Sequence, residues 1–296
     1  MFRKLLIPVD GSPMADQILL QVRRLLLRED AELTLLRVLP HKPGPKHLEA
    51  WEVERDRALQ HLDGLKTVWT REGAQVKTEM RLGHPAEEIL RFSGEHSPSL
   101  IAMSTHGRTG MDRWVRGSVA ERVLERAYQP LLVANPRGLQ AGNGEAGPHI
   151  RRLLVPLDGS QASMLILPMV IEIARLFGSE VTLFHCALLL PTAAHPENAG
   201  EYAADEALVA LEPWRKKFET IGVPVRLAGA TGYPPAEILA AAERENADLV
   251  AMTTHGRTGL NRFLFGSVAE KVLRICRVPL LVLRTGGSPR SDFRSP

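Results

Sequence analysis

Short apolar runs alternate with longer stretches of helical periodicity from one end of the chain to the other. The predicted strands are 4–9, 33–39, 75–81, 100–104 and 131–134, then 152–157, 181–187, 224–227, 249–253 and 280–283. Continuous Leu, Ile and Val runs separated by helices are typical of parallel strands that are covered on both faces and joined by right-handed crossovers. The pattern therefore predicts an α/β fold of two tandem doubly wound domains, each a five-stranded parallel sheet with helices on both faces.

The two halves are copies of one another. Residues 103–124, MSTHGRTGMDRWVRGSVAERVL, return at 252–273 as MTTHGRTGLNRFLFGSVAEKVL, with fifteen of the twenty-two positions identical. Between the halves lies the stretch 136–148, PRGLQAGNGEAGP, which is rich in Gly and Pro and has no apolar period. We therefore expect a first domain at 1–136, a linker at 137–149, a second domain at 150–285 and a tail at 286–296.

Two prolines fall inside stretches of the second half that otherwise have helical periodicity, Pro168 and Pro213. Proline removes a backbone donor and clashes with the preceding turn of a helix. Each of them therefore either begins its helix at the first turn, where proline is tolerated, or kinks it.

Composition narrows the class of protein. The chain has 296 residues, 44% of them hydrophobic, so each half is large enough to bury a core. The two cysteines, Cys186 and Cys276, have neither disulfide-framework nor metal-ligand spacing, which favours a cytoplasmic setting. The net charge of +3 is scattered, which argues against nucleic acid as a partner, and no run approaches the roughly 20 apolar residues of a membrane span.

The candidate chemistry lies at the ends of the first and fourth strands of each half. In an open parallel sheet, ligands settle at the carboxyl ends of the strands where the winding reverses. Asp10 and Asp158 end the first strands, and a glycine loop followed by a helix comes after each fourth strand. The loop residues expected to contact a ligand are Gly107, Arg108, Gly110, Gly117, Ser118 and Val119, and Gly256, Arg257, Gly259, Gly266, Ser267 and Val268.

These residue types suit an anion. Glycines let backbone amides approach a phosphate and permit positive φ angles. Ser118 and Ser267 are predicted helix N-caps, so the amides behind them form a helix-terminus anion site, and Arg108 and Arg257 add charge. The alternative is an ordinary structural turn in which Gly-x-x-Gly bends the chain, serine caps a helix and arginine is solvated.

The strand-end aspartates also have two interpretations. Asp10 and Asp158 either accept hydrogen bonds from ribose hydroxyls or an adenine amino group, or belong to a plain Asp-Gly turn that caps the next helix. Val38 and Cys186, near the ends of the second strands, are expected to supply main-chain groups and an apolar wall for a base. His106 and His255 are interpreted as loop-orienting residues, and Trp114 and Phe263 as packing anchors.

At these residues the chain resembles the universal stress protein family in a tandem form. Both halves contain Gly-x-x-Gly, a six-residue spacer and Gly-Ser, together with a Pro-hydrophobic-Asp-Gly-Ser start. The resemblance implies an adenine nucleotide alpha hydrolase-like fold and two ATP sites, with ATP bound alone or with Mg²⁺. The implied site residues are Asp10, Val38, Gly107, Gly110, Gly117 and Ser118, and Asp158, Cys186, Gly256, Gly259, Gly266 and Ser267. Cys186 departs from the family's usual valine.

The resemblance also implies that the fifth strands pair, 131–134 against 280–283, within one chain, and leaves a homodimer open. The leading functional hypothesis is a nucleotide-dependent regulatory protein of the stress response, with slow or no hydrolysis. An ATP-cleaving enzyme, in which Asp10 or Asp158 holds magnesium and His106 or His255 assists, is the first alternative. A scaffold whose loops bind no nucleotide is the second. The GxxxxGK[ST] loop of P-loop enzymes does not occur in the sequence.

Overall fold

The computed structural model describes residues 2–25, 31–105, 118–135, 149–187, 199–254 and 266–285, without the side chains of 118, 199–207 and 210. The chain divides into two compact units, Met1–Pro136 and Arg137–Pro296. Each unit has its own sheet strands and its own covering helices.

The first unit alternates strand and helix. Its elements are β1 (Lys4–Pro8), α1 (Pro13–Leu25), β2 (Glu32–Leu39), a 3₁₀ turn (Pro45–His47), α2 (Leu48–Arg71), β3 (Gln75–Leu82), α3 (Pro85–His96), β4 (Leu100–Ser104), α4 (Ser118–Arg126) and β5 (Leu131–Ala134). The strands are parallel and lie in the order β3-β2-β1-β4-β5.

The second unit repeats this order with one added short helix. Its elements are β6 (Arg152–Pro156), α5 (Gln161–Met164), α6 (Leu167–Phe177), β7 (Glu180–Ala187), α7 (Ala199–Thr220), β8 (Val225–Thr231), α8 (Pro234–Arg244), β9 (Leu249–Thr253), α9 (Ser267–Ile275) and β10 (Leu280–Leu283). The strands are again parallel, in the order β10-β9-β6-β7-β8.

The central strands are buried along their length. All residues of β9 are buried, as are the first four of β4 and the middle three of β1. Because successive side chains of a strand point to opposite faces, continuous burial means that helices cover both faces of each sheet. The predicted fold class is therefore confirmed: two doubly wound α/β units, each with five parallel strands.

The strand order fixes where a ligand site belongs. The chain winds from β1 through β2 to β3 in one direction, then returns to place β4 on the other side of β1. In the second unit, β6 and β9 are neighbours for the same reason. The winding therefore reverses between the first and fourth strands of each unit, the position at which open α/β sheets form a crevice at their carboxyl edge.

Element boundaries differ from the sequence prediction in the second unit. Strand β8 runs to Thr231, beyond the predicted 224–227, because pairing with β7 continues through Ala187 despite the weak strand propensity of Ala and Gly. Pro168 lies in the first turn of α6, so the first of the two proposed roles is confirmed for it. Pro213 lies inside α7. Helix α5, which begins directly after Ser160, was not predicted.

Candidate functional site

The first strand of the first unit ends in a tight turn, Asp10-Gly11-Ser12. Asp10 Oδ1 accepts hydrogen bonds from the backbone N–H of Ser12 at 2.9 Å and from its hydroxyl at 2.6 Å. The hydroxyl oxygen of Ser12 in turn accepts from the backbone N–H of Ala15 in the first turn of α1, at 3.1 Å. Gly11 has φ of 75°, a left-handed conformation that favours glycine.

The second unit reproduces this turn. Asp158 Oδ1 accepts from the N–H of Ser160 at 2.9 Å and from its hydroxyl at 2.6 Å, and Ser160 Oγ accepts from Ser163 N–H at 3.1 Å. Gly159 has φ of 79°. In both units serine caps the helix and aspartate orients the serine, so the interpretation of aspartate itself as the cap is wrong. Acceptance of ribose hydroxyls by the aspartates stays a prediction.

Helix α9 corrects another expectation from the sequence. Its N-cap is Gly266, with φ of −68° and ψ of 142°, and Ser267 is the first helical residue, exposed to solvent. Ser267 is therefore not the N-cap, because the chain enters the helix one residue earlier than predicted. The φ of Gly266 is one that any residue adopts, so the positive-φ argument does not apply at this glycine.

The amide of Gly266 also has a protein partner. It donates to the carbonyl of Thr254 at 2.8 Å, while the carbonyl of Gly266 accepts the first intrahelical bond, from Glu270 N–H at 3.0 Å. Since glycine has no side chain, it leaves uncapped the first-turn amides of Ser267, Val268 and Ala269, three of the donors that a helix start presents to an anion. These amides are a candidate anion-binding group.

Thr254 holds both ends of the second glycine loop, a role that the sequence analysis missed. Its N–H donates to Leu283 O at 2.9 Å, its carbonyl accepts from Gly266, and its hydroxyl accepts from Thr285 N–H at 3.2 Å. In the first unit the N–H of Thr105 donates to Ala134 O at 2.9 Å. The available signal was the repeated threonine immediately before His-Gly-Arg-Thr-Gly.

Much of the predicted loop lies outside the described residues. This holds for Gly107, Arg108, Gly110 and Gly117, for Gly256, Arg257 and Gly259, and for His106, Trp114, His255 and Phe263. The backbone of Ser118 and all of Val119 are described: α4 begins at Ser118, so this serine also lies within its helix, as Ser267 does.

The second strands bring a candidate wall to each site. Val38 is partly buried near the end of β2 and lies opposite Arg81 of β3. Cys186, its counterpart on β7, lies opposite Ala230, and its thiol contacts Gly232 O at 3.7 Å. Burial, followed by the nearby carboxylate of Glu237, raises the pKa of the Cys186 thiol to about 11. The thiol is therefore neutral at physiological pH.

The residue preceding Val38 or Cys186 supports the strand-end turn, a second feature that sequence reasoning missed. Arg37, 3% exposed, directs Nη1 to the carbonyl of Val9 at 3.5 Å and bonds Glu54 through Nη2 at 2.9 Å. His185, 7% exposed, has Nδ1 at 2.7 Å from the carbonyl of Leu157. Because a carbonyl only accepts, Nδ1 carries the proton. The signal was a polar residue within an apolar run, LLRVL or LFHCA.

Both units of the chain are similar to proteins of one known family. A model of the universal stress protein family matches residues 1–135 and 149–284. The chain belongs to the universal stress protein family. The universal stress protein MJ0531 of Methanocaldococcus jannaschii is 34% identical over 139 residues, 45% of this chain and 82% of that protein.

Two longer likenesses span both units. A universal stress protein of Mycolicibacterium smegmatis is 25% identical over 299 residues, 95% of this chain and 96% of its own length. The crystal structure of a universal stress protein from Archaeoglobus fulgidus superimposes with a TM-score of 0.74 at 21% identity, covering 97% of each chain. At that identity the structural likeness shows the fold alone.

Metal-ligand groups and membrane-crossing helices are considered for the described ranges only. Within them, no group of three or more His, Cys, Asp or Glu side chains is arranged to hold a metal ion. Among the helices that those ranges contain, none combines the length and the apolar character that a membrane crossing requires.

Proposed function

We propose that each unit binds one molecule of ATP at its carboxyl edge and that the protein is a nucleotide-dependent regulator of the stress response, with slow or no hydrolysis. The observation that carries the proposal is the duplicated pairing of a strand-end aspartate turn with a glycine-preceded helix start, on neighbouring strands where the winding reverses. Those strands are β1 and β4 in the first unit and β6 and β9 in the second.

The helix start suits the triphosphate. The N–H groups of Ser267, Val268 and Ala269 open α9 behind a residue without a side chain, and the helix dipole adds a partial positive charge there. In our proposal Gly256, Arg257 and Gly259 complete the phosphate-binding loop of the second unit. The corresponding residues of the first unit precede Ser118 and Val119 and are Gly107, Arg108, Gly110 and Gly117. Gly266 contributes by its lack of bulk rather than by its amide, which bonds Thr254.

The aspartate turn suits the nucleoside. Asp10 and Asp158 are held in place by two hydrogen bonds each through Oδ1, and a carboxylate accepts several hydrogen bonds. In the proposal the ribose hydroxyls donate to these carboxylates, and the main chain beside Val38 and Cys186 contacts the base. The neutral Cys186 thiol is compatible with an apolar wall.

Regulation rather than turnover follows from the chemistry of the donor set. Rapid phosphoryl transfer needs charge neutralisation by a positioned lysine and by a metal ion held by protein ligands. The sequence has no P-loop lysine motif, and within the described ranges no three His, Cys, Asp or Glu side chains are arranged to hold a metal ion. A magnesium ion accompanying the triphosphate would rest on nucleotide oxygens and a single aspartate in each unit.

Isothermal titration of the full chain with ATP tests the site assignment. The wild type is expected to bind about two equivalents, and Gly266→Leu about one, because the backbone at Gly266 accepts any residue while the new side chain obstructs the helix start. Gly64→Leu is the matched control, since a Cβ there meets nothing within 4 Å. Two equivalents in Gly266→Leu, or none in the wild type, would contradict the proposal.

A further inference from the structure

A cleft of about 240 Å³ opens at the amino edge of the first unit's sheet. Its walls are the first three residues of β1, Glu32 and Thr34 near the start of β2, residues 77–79 of β3, and the end of α3. The strand-end aspartate turn and the glycine loop lie at the carboxyl edge of the same sheet. The cleft is therefore separate from the proposed nucleotide site, and nothing in the proposed function uses it.

The second unit fills the corresponding place with its own side chains. Arg226 of β8 lies opposite Thr182 of β7 and donates to its hydroxyl from Nε at 3.0 Å. The same guanidinium contacts the carboxylates of Glu180, at 3.3 Å, and Glu245. The side chain of Glu245, which follows the last turn of α8, is only 12% exposed. Arg226 thus binds both the hydroxyl of Thr182 and a nearly buried carboxylate.

The first unit also has a basic side chain opposite a threonine on neighbouring strands, but it lacks that carboxylate. Lys77 of β3 lies opposite Thr34 of β2, as Arg226 lies opposite Thr182, and its ammonium donates to Glu32 at 2.8 Å. An ammonium group has three N–H donors, and Glu32 accepts one of them.

The end of α3 differs from the corresponding end of α8 as well. Where the second unit has Glu245, the first has His96, whose ring stacks on Phe92 with centroids 4.0 Å apart and planes inclined by 12°. The ring nitrogen Nδ1 lies 3.1 Å from the carbonyl of Phe92, which holds the imidazole against the helix. The counterpart of Phe92 in the second unit is Ala241. A stacked aromatic pair, Phe92 with His96, therefore lies where the second unit has an acidic side chain.

The charged side chains that line the cleft are two lysines and two glutamates, so the lining carries no net negative charge. Both glutamates have a basic partner: Glu32 pairs with Lys77 at 2.8 Å, and Glu79 pairs at 3.5 Å with Arg81, which also binds Glu95 at 2.7 Å. Lys4 also lines the cleft, at the start of β1. A volume below the roughly 300–1,000 Å³ of pockets for drug-sized ligands selects a compound much smaller than a nucleotide.

We propose that this cleft binds a small monocarboxylate with an apolar body. Its carboxylate takes the position that Glu245 occupies in the second unit, accepting hydrogen bonds from Lys77 Nζ and from the hydroxyl of Thr34. Its apolar body lies against Phe92 and Pro98, which line the same cleft. The second unit binds no such acid, because Glu245 already supplies the carboxylate to Arg226.

Benzoate is the probe, and benzamide, which has the same shape without the charge, is its neutral control. By ligand-observed NMR on the full chain, benzoate is expected to bind with a Kd of roughly 1 mM or tighter, in keeping with its small size. Lys77→Met removes the donor, and His96→Glu supplies a competing carboxylate. Each is expected to weaken benzoate binding about tenfold or more, Lys77→Met because it removes a charge-assisted contact and His96→Glu because its own carboxylate occupies the position of the ligand's.

Glu245→Gln is the matched control, because it alters the corresponding place in the second unit and leaves the cleft intact. It is expected to retain wild-type affinity for benzoate at the first unit. Lys77 has a 67% exposed side chain, so its replacement is tolerated even if His96→Glu perturbs folding. Equal binding of benzamide, unchanged affinity in Lys77→Met, or a wild-type Kd weaker than about 10 mM would overturn the proposal.

Discussion

The two units share one backbone and differ in the side chains that support it. The strand-end turns have the same geometry: the same three hydrogen bonds occur at 2.9, 2.6 and 3.1 Å in each. Beneath the turn, the first unit uses a buried arginine paired with Glu54, and the second uses a histidine. Duplication has therefore preserved the geometry of the turn while the means of holding it diverged.

The helices beside the turn differ in the same way. In the first unit Asp16 Oδ2 of α1 bonds His61 Nε2 of α2 at 2.8 Å. In the second, the counterpart of Asp16 is Met164, whose sulfur accepts from Trp214 Nε1 at 3.2 Å. A polar contact in one copy thus corresponds to a mostly apolar contact in the other. Around the strand-end turn, therefore, the first unit relies on contacts to an acidic side chain, Glu54 or Asp16, and the second on contacts of His185 and Met164.

The largest expected effect concerns the side chains that support the strand-end turns, Arg37 with Glu54 in the first unit and His185 in the second. Glu54→Ala leaves Arg37, 3% exposed, without that carboxylate, and we expect a loss of about 2–3 kcal/mol from the stability of the first unit. His185→Leu removes the Nδ1–H donor to Leu157 O, with an expected loss of about 1–2 kcal/mol in the second unit. Urea unfolding, with hydrogen exchange resolved by unit, measures both, and equal losses would contradict the comparison.

A smaller effect is expected where each third strand leads into its helix. Gly83 and Gly232 have φ of 148° and 155°, and a Cβ at either meets a glutamate at 3.0 Å, Glu88 or Glu237. Glu88 is 5% exposed and held by Arg91 at 3.0 Å, so it yields less easily than Glu237. Gly83→Ala is therefore expected to cost about 2 kcal/mol and Gly232→Ala about 1 kcal/mol, measured by thermal unfolding. The reverse order would show that the glutamates do not decide the cost.

The capping serines test the likeness instead of the difference. Ser12→Ala and Ser160→Ala each remove one N-cap of the same geometry, so each is expected to cost about 1 kcal/mol. Denaturant midpoints of the two variants measure this. A difference above about 0.5 kcal/mol would mean that the two serine caps contribute unequally to stability although their hydrogen-bond distances are equal.

The two units are also expected to differ at alkaline pH. Both cysteines lie in the second unit, and burial raises the pKa of Cys186 and of Cys276 to about 11, from 9.0. Since the folded state then binds more protons than the unfolded state, the stability of the second unit falls as pH rises from about 9 to 11. The first unit has no cysteine and lacks this contribution. Thiolate absorbance and unfolding of Cys186→Ser with Cys276→Ser measure it, and an unchanged alkaline slope in that variant would contradict it.

The sequence was most informative where one requirement decided the outcome. Apolar runs such as LIAMS and LVAMT had to be buried parallel strands, and the repeated Asp-Gly-Ser had to be a turn before a helix. It was less informative at helix starts, where Ser267 and Gly266 compete for the cap and the hydrogen bond to Thr254 decides. The contacts of the glycine loops with a nucleotide, and the pairing of the fifth strands, stay predictions.

By itself the sequence determined the duplication, the order of strands and helices, and the edge of the sheet to which the polar residues belong, because each follows from local periodicity and the handedness of crossovers. Only the tertiary structure decided which side chains support that edge. Arg37 and His185 reach carbonyls 28 residues away, and Arg226 meets Glu180 and Thr182 from the adjacent strand. Such partners are set by strand register and helix packing, which no local pattern encodes.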